Sequence, residues 1–258
     1  MTESGLPRID QIWQAFESGA SCLRHAPLKE FKDFSDIEFR WFLTRTFPSR
    51  VADNQQYGTH LIFIGMNPAE ARVFAGTPEC GDWTCGYLVN RRINDEFPKS
   101  FGAPTRLSFV NLVPIVDTKP AHAKQNWTKL QEYHDEILDL NVELFRKMLA
   151  ESQDYIVIPA FGVGLKASDW RWRGFCKLLP VLEKIEDPDS RIMAVKRGER
   201  FPYHPRKWPK ADTLAEAFRP VLGNLQALRR KYDHKTSSPR SSYTECGGVV
   251  AGASDGSV

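Results

Sequence analysis

Four runs of mostly apolar residues, each ended by a polar or glycine-bearing turn, constrain the fold of this chain most strongly. They are "THLIFIGMNP" (59–68), "RLSFVNLVP" (106–114), "DYIVIPAFG" (154–162) and "RIMAV" (191–195). A strand with one solvated face alternates apolar and polar residues, whereas a strand covered on both faces is apolar almost throughout. The runs therefore predict strands of a mainly parallel sheet that is buried on both faces.

Helical patterns before, between and after these runs supply the layers that would cover the sheet. Helices are predicted at "IDQIWQAFESG" (9–19), over roughly 127–150 and 174–184, and at "TLAEAFRPVLGNLQALRRKY" (213–232). The segment "DIEFRWFLTRTF" (36–47) fits a helix or a strand equally well. The predicted fold class is α/β, a three-layer α/β/α arrangement with a short, mainly parallel four-stranded sheet.

Three segments are expected along the chain. Residues 1–36 are predicted to be a helical N-terminal extension, and residues 37–232 the α/β domain. Residues 233–258 are rich in Ser and Gly with little apolar content, which predicts a disordered tail.

Composition narrows the class of protein. The 258 residues are 41% apolar and 26% charged, as in soluble globular proteins, and no segment approaches the length needed to cross a bilayer. No signal-peptide pattern is present, so a cytoplasmic location is expected. The five scattered cysteines contain no C-x-x-C pair, although Cys80 and Cys85 could belong either to a metal site or to the core. We predict a monomer without cofactor, metal or membrane contact.

Conspicuous polar or glycine-bearing positions lie at the end of every predicted strand. Asn67 follows the first strand, Asn111 lies in the second, Phe161 and Gly162 follow the third, and His204 follows the fourth. Parallel α/β sheets bind ligands beyond the carboxyl ends of their strands. Four loops on one rim therefore predict a single pocket.

Two of these turns carry groups suited to catalysis. In "GMNPAEA" (65–71), Asn67 could orient a water molecule, Gly65 would allow close backbone approach and Pro68 would fix the turn. The alternative is a strand-ending turn in which Asn67 satisfies its own backbone. In "YHPRKWP" (203–209), His204 could donate to developing negative charge, or be an ordinary surface or core histidine.

The segment "VKRGERFPYHPRKWPK" (195–210) carries six basic residues, one acid and three aromatics. Basic groups interleaved with aromatic rings suit a polyanion that also presents flat bases. A solvated basic loop is the alternative.

Together the motifs resemble the uracil-DNA glycosylase superfamily. Its mismatch-specific branch has Gly-Ile-Asn-Pro where this chain has residues 65–68, and its second motif, usually His-Pro-Ser, is represented by His204, Pro205 and Arg206. A closer resemblance is to an uncharacterised bacterial domain family whose first motif is Leu-Asn-Pro-Ser-Thr-Ala-Asp. The similar pieces cover roughly 37–220 and occur here in the order "FRWFL", "GMNPAEA", "GDWT", "VNLVP" and "RGERFPYHP".

The resemblance implies a uracil-DNA glycosylase-like fold and a DNA glycosylase that hydrolyses the N-glycosidic bond of a flipped-out base. It implies Asn67 as the residue that places water, Glu70 or Asp82 as a candidate general base, and His204 as donor to the departing base. Asn111 would read the edge of the base. The other implied substrate contacts are Gly65, Met66, Pro68, Phe74 and Tyr203.

The implied DNA contacts are Arg200, Arg206 and Lys207 at phosphates, and Trp208 as a wedge in the base stack. Arg206 replaces the small residue of the second motif, and the four cysteines of the iron–sulfur branch are lacking, so no cluster is expected. The base could be uracil, mismatched or modified, in DNA repair or in defence against phage DNA. The alternatives are a non-catalytic nucleic-acid- or nucleotide-binding protein and a nucleoside or nucleotide hydrolase.

Overall fold

The computed structural model describes residues 6–25, 37–47, 58–69, 71, 83–91, 97–102, 104–196, 200–209, 214 and 216–236. Five strands form one central sheet: β1 (Cys22–His25), β2 (Phe39–Thr46), β3 (Thr59–Gly65), β4 (Pro104–Asn111) and β5 (Tyr155–Pro159). Their order across the sheet is β1-β2-β4-β3-β5. The strand β3 pairs in parallel with both β4 and β5, whereas β2 is antiparallel to β4 and β1 is antiparallel to β2.

A second, two-stranded ladder lies beside the central sheet. It pairs β6 (Met193–Val195) with β7 (Phe218–Pro220) in antiparallel orientation. The residue before β6, Ile192, makes a parallel bridge with Val157 of β5. The ladder therefore extends from the β5 edge of the central sheet.

Eight α-helices are described. They are α1 (Ile9–Glu17), α2 (Trp83–Arg91), α3 (Phe97–Phe101), α4 (Pro120–Lys129), α5 (His134–Glu151), α6 (Trp172–Leu182), α7 (Pro188–Arg191) and α8 (Leu222–Thr236). Short 3-10 turns cover Gln131–Tyr133 and Pro205–Lys207. None of the helices in the described part of the chain is both long and apolar enough to cross a membrane.

The central sheet separates two apolar clusters, which explains the continuous apolar run in the middle of β3. All seven residues of β3 are buried, and alternate side chains enter opposite clusters. Ile62 and Ile64 belong to the cluster that also holds residues of α1, α5 and α6. Leu61 and Phe63 belong to the cluster that holds residues of α2 and α3. The predicted α/β class is confirmed, with a sheet covered on both faces.

The central sheet differs from the predicted four-stranded, mainly parallel sheet in having a fifth strand and a mixed set of pairings. The central sheet has five strands, and two of its four pairings are antiparallel. The ambiguous segment 36–47 contains β2, while the predicted fourth strand, "RIMAV", contributes β6 to the separate ladder. The short edge strand β1, "CLRH", has no long apolar run that could have identified it.

The predicted segment boundaries also need correction where residues are described. In the N-terminal segment, Ile12 and Phe16 of α1 are buried in the main core, and β1 is part of the central sheet. This part of 1–36 is integral to the domain. The helix α8 continues to Thr236, so the first four residues of the predicted tail are helical. Residues 237–258, where a disordered tail is expected, lie outside the described residues.

Two helical glycines provide a matched test of packing around β4. A Cβ atom on Gly174 of α6 would lie 2.0 Å from the backbone oxygen of Leu112, whereas one on Gly223 of α8 would meet nothing within 4 Å. We expect Gly174→Ala to lower the free energy of unfolding by about 3 kcal/mol through overpacking. Gly223→Ala should leave it unchanged or raise it by up to about 1 kcal/mol. Urea denaturation of both variants measures the difference, and equal stabilities would contradict the described contact.

His60 is a buried histidine of β3 that is held neutral. Its Nδ1 lies 2.7 Å from the hydroxyl of Ser152 and its Nε2 lies 2.8 Å from the hydroxyl of Ser108. Burial, together with the positive charge of Arg106, lowers the pKa of His60 from 6.5 to about 3. Its two hydrogen bonds tie β3 to β4 and to the residue that follows α5.

The lowered pKa of His60 predicts a pH-dependent stability. Between pH 6.5 and about 3 the unfolded chain binds a proton at His60 that the folded chain excludes, so stability falls as the pH falls through this window. The slope from this residue is up to about 1.4 kcal/mol per pH unit. In urea denaturation between pH 6.5 and 5, His60→Gln should show a shallower loss of stability than the unmodified protein. Parallel slopes would contradict a neutral His60.

Candidate functional site

The carboxyl ends of β3, β4 and β5 lie side by side at one edge of the sheet. Gly65, the last residue of β3, is in register with Asn111, the last residue of β4. Ile64 is in register with Pro159, the last residue of β5. The three loops that follow these strands therefore begin next to one another, as predicted.

Gly65 allows a close approach between the ends of β3 and β4. A Cβ atom at this position would lie 2.6 Å from Oδ1 of Asn111, so any larger residue would displace that amide. Asn111 is 2% exposed, and its backbone oxygen accepts a hydrogen bond of 2.6 Å from Nδ2 of Asn141. Its own Nδ2 is buried without a hydrogen-bond partner among the described residues. A buried donor without a partner is costly, so the unpaired Nδ2 of Asn111 is an unusual feature of this edge.

Asn67 is held by the loop after β4. Its Nδ2 donates a hydrogen bond of 3.0 Å to the backbone oxygen of Asp117, while the backbone amide of Asp117 donates to the oxygen of Pro68 at 3.0 Å. The contact of Nδ2 with the Pro68 oxygen is long, at 3.5 Å. The donor end of the amide is thus fixed by a neighbouring loop, and no described residue donates to Oδ1. The hydrogen bond to Asp117 therefore fixes the direction in which Oδ1 of Asn67 can accept a hydrogen bond.

A buried arginine supports the same loop from the other side. Arg40, the second residue of β2, is 3% exposed. Its Nη1 lies 3.2 Å from the backbone oxygen of Ala69 and 3.0 Å from that of Ala71. Hydrogen bonds from a charged donor are stronger than those between neutral groups, so Arg40 fixes the backbone that follows Pro68.

The second motif meets the first motif at Gly162, in the loop after β5. Gly162 has φ = +86°, which favours glycine, and a Cβ atom there would lie 3.7 Å from Cβ of His204 and 3.8 Å from Cε of Met66. His204 and the residue preceding Asn67 are therefore neighbours of the same glycine. The position of these residues at the ends of predicted strands indicated that their loops would converge.

The second motif is positioned through its backbone. The amide of Tyr203 donates to the oxygen of Val195 at 3.2 Å, which ties the motif to the end of β6. The oxygen of His204 accepts a hydrogen bond of 2.8 Å from the amide of Lys207, closing the 3-10 turn that follows. His204 is half-buried at the start of this turn.

An ion pair that the sequence motifs did not identify lies against the first motif. Arg171 donates to the carboxylate of Asp169 at 2.6 and 2.7 Å, and it also donates to the sulfur of Met66. Both charged side chains are largely buried. Burial opposes ionisation of Asp169, but hydrogen bonds from the side chain and backbone of Arg171 outweigh it and lower the pKa of this carboxyl group. The pair packs Met66 in place next to Gly162.

The predicted DNA wedge, Trp208, is wrong because this residue lies in the core. It is 6% exposed, its Nε1 donates to the oxygen of Tyr203 at 2.8 Å, and its ring packs edge-on against Phe218. Tyr203 is half-buried and packs against the apolar cluster that contains Trp208, so the contact of Tyr203 with a substrate stays a prediction. An aromatic ring in a basic segment can face the core or the solvent, and the sequence pattern did not distinguish the two.

The exposed basic residues of this segment remain available for a polyanion. Arg200 and Lys207 are exposed. The side chain of Arg206 and the candidates Glu70, Phe74 and Asp82 lie outside the described residues, so their roles stay predictions. Cys85 is buried, as expected of an ordinary core residue, whereas Cys80 also lies outside this range. In the described part of the chain, no three His, Cys, Asp or Glu side chains are grouped to hold a metal ion.

Comparison with known proteins gives no further assignment. No protein-family model, curated protein or solved structure matches the chain.

The buried position of Arg40 predicts a large effect of its removal. Arg40→Met keeps the apolar stem but leaves the oxygens of Ala69 and Ala71 without this donor, which we expect to cost about 2–4 kcal/mol of stability. Arg45→Met, at an exposed position of the same strand, should change stability by no more than about 0.5 kcal/mol. Urea denaturation compares the two variants, and an equally small loss in both would show that Arg40 does not support the loop.

Proposed function

We propose that the protein is a DNA glycosylase with a uracil-DNA glycosylase-like fold, which hydrolyses the N-glycosidic bond of a flipped-out base and leaves an abasic site. The observation that carries the proposal is the meeting of the two motifs at Gly162, where His204 and Met66 are both neighbours of one residue. Asn67 follows Met66 directly, at the edge where α/β sheets bind ligands.

The reaction requires two kinds of group. As the base departs, the sugar becomes cationic and the base becomes anionic, so water must be placed at the sugar and donors must surround the base. The Nδ2 of Asn67 donates a hydrogen bond to the backbone oxygen of Asp117. The Oδ1 of Asn67 is therefore left to accept a hydrogen bond from the attacking water. Because an amide is not a strong base, Glu70 or Asp82 remains the candidate for accepting the proton.

Stabilisation of the leaving base falls to the other side of the site. The imidazole of His204 is proposed to donate a hydrogen bond to the base as negative charge develops. The buried, unpartnered Nδ2 of Asn111 is proposed to donate to an oxygen on the edge of the base. Met66, Pro68, Phe74 and Tyr203 complete the proposed pocket. Extruding the nucleotide from a duplex costs a few kcal/mol, which contacts of this kind would offset.

DNA binding is assigned to the basic residues around the second motif. Lys207 and Arg200 are exposed, and Arg206 lies between them in sequence, so all three are proposed to contact phosphates. Neutralising phosphates releases counterions, which makes such binding fall steeply with added salt. A hydrolase of free nucleosides would show no comparable salt dependence.

Replacing the two motif residues tests the proposal. Asn67→Ala and His204→Ala should each lower the rate of base release by about 10²–10³-fold while keeping the fold, since each removes one group that acts at the transition state. The matched control is His122→Ala, which removes an exposed histidine from α4 and should keep full activity. Abasic sites are measured by alkaline cleavage of oligonucleotides that carry uracil, mismatched bases or modified bases.

Each result of this assay has a distinct meaning. Full activity in both motif variants would remove the proposed pocket. Salt-sensitive DNA binding without base release from any substrate would favour a non-catalytic nucleic-acid-binding protein. The base that is released would decide between uracil or mismatch repair and defence against phage DNA with modified bases.

A further inference from the structure

A cavity of about 370 Å³ lies beside the proposed active site. It is open to solvent on one side and is lined by the loop after β5 (161–166), the extended segment 200–202 and the helix α8. Its volume is within the range of cavities that bind small ligands. Gly162, whose position adjoins His204 and Met66, also lines this cavity, so the two sites are neighbours.

Three cations line the cavity, one from each of the three segments that form it. They are Lys166, Arg200 and Lys231, and all three are exposed. None makes a salt bridge with a described residue, and no acidic side chain is among the residues that line the cavity. Cations from three separate segments that converge without an acidic partner among the described residues favour an anionic ligand.

The inner surface of the cavity is apolar and aromatic. The lining includes Phe161, which is buried, and the partly buried Phe201 and Tyr232. Tyr232 is held edge-on against Trp172, with ring centroids 5.3 Å apart. Val163, also part of the lining, is 48% exposed and is the one large apolar side chain that is exposed among the described residues. A ligand that fits must therefore combine an anion with a flat apolar body.

A nucleotide has this combination of chemical groups. Bases stack on aromatic side chains, and phosphates pair with Lys and Arg. We propose that this cavity binds the nucleotide adjacent to the flipped one, with its base inside and its phosphate among Lys166, Arg200 and Lys231. This inference rests on the proposed function and extends it by specifying which form of DNA, single-stranded or duplex, the protein binds.

Occupancy by a second nucleotide specifies which DNA is bound. A base inside a duplex is paired and stacked, so filling both sites from one strand requires two neighbouring nucleotides to leave the stack at a cost of a few kcal/mol each. A single strand, or a locally unpaired region, avoids this cost. The protein should therefore bind single-stranded DNA more tightly than a duplex of the same length.

Equilibrium binding of a fluorescent single-stranded DNA of about 12 nucleotides tests the proposal. The charge-reversal variant Lys166→Glu/Lys231→Glu should raise Kd at least about tenfold and reduce the salt slope by about 1–2, since each phosphate contact contributes roughly 0.7. The control Lys129→Glu/Lys184→Glu makes the same change at two exposed lysines outside the cavity and should have a much smaller effect.

A second variant fills the cavity without altering charge. Ala227 of α8 is exposed and lines the cavity, so Ala227→Trp should occupy the space of the base and weaken single-strand binding about tenfold or more. Circular dichroism establishes that each variant is folded. The proposal would be overturned if folded Ala227→Trp bound single-stranded DNA with unchanged affinity. It would also be overturned if the unmodified protein bound duplex DNA, single-stranded RNA and single-stranded DNA with equal affinity.

Binding and base release separate this inference from the proposed function. Base release by Lys166→Glu/Lys231→Glu with unchanged single-strand affinity would overturn the role of the cavity and leave the glycosylase proposal standing. Loss of single-strand affinity in the cavity variants, with no base released from any DNA by the unmodified protein, would support the cavity as a nucleotide site and reject the glycosylase.

Discussion

The parallel pairing of β3 with β4 and β5 is the constraint on which the candidate site depends. It places Gly65 opposite Asn111 and Ile64 opposite Pro159, so three loops begin at one edge. The other interactions at this edge hold those loops rather than bring them together. Arg40 ties down the backbone after the first motif, and the Asp169–Arg171 pair packs against Met66. The site is thus a product of sheet register, reinforced by two buried cations.

The parallel half of the sheet could be predicted from sequence because burial on both faces leaves a distinct pattern. The residues of β3 and the second half of β4 are buried on both sides and mostly apolar, and both strands are where the pattern indicates. The antiparallel half was not predicted because β1 is four residues long, and β2 carries arginines within an apolar segment. The strand β6 is also apolar, but it pairs with β7. The strand with which it pairs depends on contacts between residues distant in the sequence, so its apolar pattern could not predict this pairing.

Sequence position predicted where three candidate residues lie. Asn111 ends β4 and Asn67 comes two residues after β3, so the strands place both at the expected edge. His204 lies in the segment after β6, next to Gly162 of the loop after β5. The side chains that support these three residues were not predicted, because the sequence does not show whether an arginine is buried or exposed. Trp208 fails for the related reason that its burial depends on Phe218 and other residues packed around it, which the surrounding basic residues do not reveal.

The reversed direction of β2 has a consequence for how such an edge can be built. Because β2 runs against β4, its opening residues lie where β3 and β4 finish, and the side chain of Arg40 can reach the turn beyond β3. In a fully parallel sheet every strand would begin at the opposite end of the sheet. Only the loops that connect the strands could then donate hydrogen bonds to the turn beyond β3. One inverted strand lets a rigid, hydrogen-bonded ladder anchor the turn beyond β3, and a long cationic side chain at the start of an inverted strand is where such an anchor should be sought in other mixed sheets.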